Sequence, residues 1–96
     1  MKIYVIGSLS QEREITLIAN ALSTIKDNEV RQVKSCKELS LEECINMCYK
    51  NIDWCDAVFI LRKENGTLGN GTTYEKVYAE KQRKEIIMIG EQIIYE

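Results

Sequence analysis

The chain has 96 residues, 45% of them hydrophobic, and a formal net charge of −2. That is enough apolar content for one core and too little chain for two, so a single domain is expected over residues 1–96. The acidic balance excludes a nucleic-acid surface, which needs a basic face. The basic run KQRKE at 81–85 is interrupted by acid and reads as a solvated helix end.

No apolar run approaches the ~20 residues of a membrane span. The opening MKIYVIG enters a strand pattern at once, without signal-peptide architecture, so no membrane contact and a cytoplasmic location are expected. Residues 2–6 are apolar and β-branched and stop at Gly7-Ser8, giving the first strand. Ile15, Ile18, Leu22 and Ile25 recur at helical spacing, which predicts an amphipathic helix over 11–26. Residues 29–33 read as a short strand with polar alternates, suited to a sheet edge. Ser40-Leu-Glu-Glu43 is a capping box that opens a second helix reaching Trp54. After Asp56 comes AVFIL, the most continuously apolar segment and a central strand. A polar, glycine-punctuated loop over 62–70 leads to a third helix over 73–83 and a fourth strand over 85–90. The tail EQIIYE reads as a last short strand or a contact with another subunit.

Strands alternating with helices pair in parallel through right-handed crossovers, predicting a three-layer αβα, flavodoxin-like or Rossmann-like sheet of four or five strands in the order 2-1-3-4. Ligands of such folds bind beyond the carboxyl ends of the strands where the order reverses, here between strands one and three. The loops emerging there are residues 7–10 and 62–75.

Those loops hold the candidate residues. Gly7 permits a sharp turn and close approach of a ligand, and Ser8 adds a hydroxyl near a helix start, where anions are favoured. Gly69 and Gly71 permit positive φ and leave space above the sheet. Thr72-Thr-Tyr-Glu75 matches a capping box, in which Thr72 and Glu75 would each bond the other's amide. The functional alternative is that Glu75 points into the pocket as a carboxylate nucleophile, kept ionised by the helix N-terminus. Tyr4, three residues before the turn, needs a partner for its hydroxyl if buried and could reach that carboxylate.

Four cysteines (Cys36, Cys44, Cys48, Cys55) accompany a complete lack of histidine. Cys44 and Cys48 would share a helix face, but the spacings are not those of a zinc motif. They fall in phase with Leu41, Ile45 and Ile52, as reduced core thiols do. No metal and no cofactor is implied.

Tyr4-x-x-Gly7-Ser8-Leu9, then Cys55-Asp56-Ala-Val, then Gly71-Thr-Thr-Tyr-Glu75-x-x-x-Ala79 resembles the nucleoside 2-deoxyribosyltransferase-like family, which includes deoxynucleoside-monophosphate N-glycosidases. The resemblance implies a small-molecule nucleoside or nucleotide ligand. It also implies that Glu75 attacks the anomeric carbon of a 2-deoxyribose, that Tyr4 orients Glu75, and that Gly7-Ser8 lies against sugar or phosphate. A neighbouring subunit completes each pocket in that family, and Tyr49, Tyr78, Ile93, Ile94 and Tyr95 lack an obvious core place, so a homodimer or higher oligomer is expected.

The chain departs from the pattern in its acids and bases. Where active members carry an aspartate eight residues before the position of Asp56, this chain has Cys48. In place of a second acid before Gly71 stands Asn70. Ser10 replaces an arginine of the phosphate-using members, with Arg13 one turn further on. Asp53 and Glu64 are off the family's positions, and Asp56 reads as a structural turn residue. Three readings fit: N-glycosidic cleavage or transfer, non-catalytic binding of a nucleotide or nucleotide-derived ligand, and a bare structural module whose pocket is vestigial.

Overall fold

A computed structural model of the chain describes residues 1–35 and 38–90. The elements run β1 (Lys2–Ile6), α1 (Glu12–Ser23), β2 (Glu29–Gln32), α2 (Leu41–Trp54), β3 (Ala57–Leu61), α3 (Asn70–Lys81) and β4 (Glu85–Ile89), with a single 3-10 turn at Leu9–Gln11 before α1. The four strands form one parallel sheet in the order β2-β1-β3-β4, as the alternation of elements predicts. Helix α1 packs on β1 and β2, whereas α2 and α3 pack on each other and on the opposite side of the sheet.

Strand β3 is central because its residues can be buried on both faces: Ala57, Val58 and Ile60 have almost no exposure. Edge strand β2 alternates exposed and half-buried residues. Along β1 alternation sends Ile3 and Val5 to the α1 face and Tyr4 and Ile6 to the face of α2 and α3. The core includes Ile3 and Ile15 on the α1 side and the fully buried Tyr4 with Ile6, Ile52, Val58 and Ile60 on the other. Each buried isoleucine contributes roughly 1.5–3 kcal/mol over an exposed one.

Several boundaries differ from the sequence-based expectation. Helix α1 stops at Ser23 rather than at 26 because hydroxyls compete for its last carbonyls: Ser23 Oγ donates to Asn20 O at 2.7 Å and Thr24 Oγ1 to Ala21 O at 2.7 Å. Helix α3 begins at Asn70, three residues before the expected start, with Gly69 as its N-cap at φ −67 and ψ 161. The capping box expected at Thr72–Glu75 is therefore not formed. Thr72 lies inside the first turn and is buried, and Thr73 donates to Gly69 O through both its amide and its hydroxyl, each at 2.9 Å. Nor do Gly69 and Gly71 use positive φ; the glycines that do are Gly66 and Gly90. Ser40, by contrast, caps α2 as expected, accepting from Glu43 N at 3.1 Å.

Tyr49 and Tyr78, expected to lack a core place, stack on each other across the α2–α3 contact with ring centroids 4.0 Å apart. Cys44, Cys48 and Cys55 are thiols. Cys36 and the tail 91–96, with Ile93, Ile94 and Tyr95, lie outside the described residues. No helix among the described residues is long and apolar enough to cross a membrane.

Candidate active site

The carboxyl ends of β1 and β2 and the starts of α2 and α3 surround a cavity of about 550 Å³. Gly7, Ser8, Gly69, Gly71, Thr72 and Glu75 all line it, so loops chosen by composition and topology converge on one space. Packing disfavours any side chain at Gly7: a Cβ there would lie 3.1 Å from Ile15 Cδ1 and 3.2 Å from Leu61 Cβ, so its neighbours would have to give way. Gly71 is the opposite case. A Cβ there would meet nothing within 4 Å, so its hydrogen leaves open room in the cavity.

Three amides at the start of α3, those of Asn70, Gly71 and Thr72, precede the first helical hydrogen bond, and no side chain caps them. No acid stands in that first turn. The positive end of the helix thus faces the cavity, an arrangement that suits an anionic group. Ser8 Oγ lies opposite, bonded to Ser10 Oγ at 2.9 Å. A Cβ on Gly69 would come 3.9 Å from both Lys63 Nζ and Ser8 Cβ, so a cation converges on the same corner.

Glu75 sits in the second turn of α3, on the stripe Thr72–Glu75–Ala79 that faces the sheet. A carboxylate there occupies a place where an apolar side chain would be expected. Its Oε2 is buried without a hydrogen-bond partner, while its carboxylate accepts from the thiol of Cys48. Burial raises the pKa of Glu75 above the ordinary carboxylate value, and the thiol contact opposes that rise.

Tyr4 does not line this cavity. It stands behind the wall, in a neighbouring cavity of about 570 Å³ that shares Cys48 and Lys34 with the first. Its hydroxyl interacts with Cys48 and accepts from the Asn51 amide, and burial keeps the phenol protonated far above its usual range. Arg31 Nη1 donates to Asn51 Oδ1 at 3.1 Å and stacks on Trp54 at 4.0 Å from the ring centroid. A polar chain Arg31–Asn51–Tyr4–Cys48–Glu75 therefore runs from the edge strand to the candidate nucleophile.

The other acids and bases considered from sequence do not reach the cavity. Asp53 accepts from Tyr78 Oη at 2.7 Å, and Asp56 accepts from Lys2 N at 2.9 Å at the amino end of the sheet, as a structural turn residue should. Glu64 borders a separate surface depression with Ser10, Gln11, Glu14 and Lys63, and Arg13 is exposed on α1. Sequence reading missed Lys34, Lys63, Arg31 and Asn51, which are ordinary polar residues of edges and loops without a motif. It also missed the apolar rim of Leu9, Leu41, Ile45 and Tyr74, of which Leu41 is 78% and Tyr74 72% exposed. That signal was legible: Leu41 and Ile45 continue the apolar stripe of α2 beyond the point where the sheet can cover it.

No family model matches the sequence, and no curated protein matches it. Solved structures do. The 2-desoxiribosyltransferase from Leishmania mexicana superimposes with a TM-score of 0.69 at 18% identity, over 91% of this chain and 62% of that one. The CMP N-glycosidase BcmB of Clostridium botulinum superimposes with a TM-score of 0.65 at 22% identity, over 92% of this chain and 70% of that one. The chain has the nucleoside 2-deoxyribosyltransferase-like fold. It spans less than two thirds of the length of the first of these structures.

Proposed function

We propose that this chain cleaves or transfers the N-glycosidic bond of 2-deoxynucleosides or their 5′-monophosphates, with Glu75 as nucleophile. The observation that carries the reading is the buried, unpartnered Oε2 of Glu75 in the wall of a cavity large enough for a nucleoside. The Glu75 carboxylate attacks the anomeric carbon, the bond from that carbon to the base nitrogen breaks, and its electron pair leaves with the base, which takes a proton from solvent. The resulting glycosyl ester is released by water in hydrolysis or by a second base in transfer. Of the two named neighbours, the 2-desoxiribosyltransferase supports the 2-deoxy sugar and the CMP N-glycosidase supports N-glycosidic cleavage of a nucleoside monophosphate. The uncapped start of α3 and Ser8 with Lys63 form the seat for sugar hydroxyl or phosphate, and Gly71 and Gly69 leave room for it.

One observation favours the second reading, in which the same pocket binds a nucleotide without chemistry. Among the described residues Glu75 is the only acid lining the cavity, so no second carboxyl stands ready to protonate a leaving base. Chromatography of nucleosides and monophosphates incubated for hours with wild type and Glu75→Gln separates the two. Base release or exchange by wild type alone supports the enzyme. Equal traces from both proteins, with ligand still raising the melting temperature, support the binder.

A homodimer or higher oligomer goes with either reading, and the exposed Leu9, Leu41, Ile45 and Tyr74 at the cavity mouth are the surface that supports it. Sedimentation equilibrium at roughly tens of micromolar, where weak association becomes visible, checks it; a monomer there counts against it.

A further inference from the structure

We propose that Cys48 is a positioning residue, whose thiol links Tyr4 to Glu75 and holds the carboxylate in one orientation in the wall of the cavity; the proposal rests on the glycosidic reading above only for its effect on turnover.

The geometry is that of a relay with one order of donors. Asn51 is fixed by Arg31 through its Oδ1, which leaves its amide nitrogen to donate to the phenol oxygen of Tyr4. The Tyr4 hydroxyl then has its proton available for the sulfur of Cys48, and the Cys48 thiol proton is available for Glu75. Cys48 borders both cavities, whereas Tyr4 borders only one and Glu75 only the other, so this residue stands between them. It sits in the third turn of α2, one turn before Ile52, where the helix is anchored to the sheet, and is itself buried. A carboxylate held on one oxygen and bare on the other is restricted in rotation, and orientation of a reacting group within a fraction of an ångström is worth large factors in rate.

A thiol is a weak donor, so it fixes direction at little cost to the basicity of the attacking oxygen. Titratable or charged groups around Glu75 and its cavity are Tyr4 from β1, Cys44, Cys48 and Tyr49 from α2, Lys34 after β2, Lys63 after β3, and Tyr74 on its own helix. Of these, the thiol of Cys48 is the one that lowers the pKa of Glu75 against burial.

The test is the carboxyl titration of Glu75, read by infrared difference spectra against Glu75→Gln, in wild type, Cys48→Ala and Cys48→Ser. The titration midpoint should move up in Cys48→Ala and return toward wild type in Cys48→Ser, whose hydroxyl can still donate. Base release should fall about 10- to 100-fold in kcat for Cys48→Ala with KM within about twofold, and recover in the serine variant. Melting curves of both variants establish that they are folded. An unchanged midpoint in Cys48→Ala, or a serine variant that behaves as alanine does, overturns the proposal. A shifted midpoint in a wild type that releases no base leaves the link intact and overturns the glycosidic reading instead.

Discussion

At the amino end of the sheet the polar groups are matched to one another. Lys2 and Asp56 exchange bonds between β1 and β3 at 2.8 and 2.9 Å, the terminal ammonium of Met1 donates to Asp27 O at 2.7 Å, and Lys84 Nζ donates to Cys55 O at 2.7 Å and Asp53 O at 3.1 Å. The carboxyl end is left unmatched in three ways: a buried carboxylate oxygen without a partner, a helix start without a side-chain cap, and large apolar side chains in solvent. Both ends belong to the same four strands, so the difference does not come from the fold. It lies in the loops and the first turns of α2 and α3, and under the proposed function it leaves stability to one end and ligand recognition to the other.

Replacing Glu75 tests the contrast most strongly. In Glu75→Gln base release should drop by roughly three orders of magnitude or more, while the melting temperature at neutral pH rises, because a buried carboxylate is replaced by a neutral group. Since burial raises the folded-state pKa of Glu75, the folded chain holds its proton more tightly than the unfolded one. The stability that this contributes is full below the unfolded pKa and is lost as pH rises through the folded value. Melting temperatures of wild type and Glu75→Gln should therefore diverge with rising pH through that window, and the acid limb of activity should lie above the ordinary carboxylate range. Parallel melting curves at all pH values would contradict the burial of this carboxylate.

The next effect tests packing at the unmatched end. Gly7→Ala should cost about 1–3 kcal/mol in denaturant titrations, since the added methyl meets Leu61 Cβ, which cannot yield, as well as the movable end of Ile15. At the matched end Asp56→Ala should cost about 1 kcal/mol by removing the acceptor for Lys2 N, with base release and ligand binding unchanged. A loss of activity there would break the division of labour between the two ends.

The smallest effect on the fold sharpens the comparison. Gly71→Ala should leave stability within about 1 kcal/mol of wild type, or raise it slightly, because the methyl enters open space on a helix. The same methyl occupies cavity volume, so nucleoside or monophosphate should lose its stabilising shift in thermal melts. Retention of the full shift would move the ligand away from the start of α3.

The sequence by itself determined the parallel order β2-β1-β3-β4, because apolar periodicity and β/α alternation are local signals and right-handed crossovers leave few topologies. It also determined which loops meet, since Gly7-Ser8 and the segment before Glu75 follow the two central strands. Only the tertiary structure decided where Glu75 points. Thr72-Thr-Tyr-Glu75 carries the residues of a capping box, yet Gly69 in an extended conformation starts α3 three residues earlier, and the register of the helix turns Glu75 inward instead of back to its own amides. Cys48 is likewise an apolar-phase cysteine in sequence, and becomes the neighbour of both Tyr4 and Glu75 only when α2 and α3 pack side by side over β1. Contacts between residues far apart in the chain depend on helix register and packing, which no local pattern encodes.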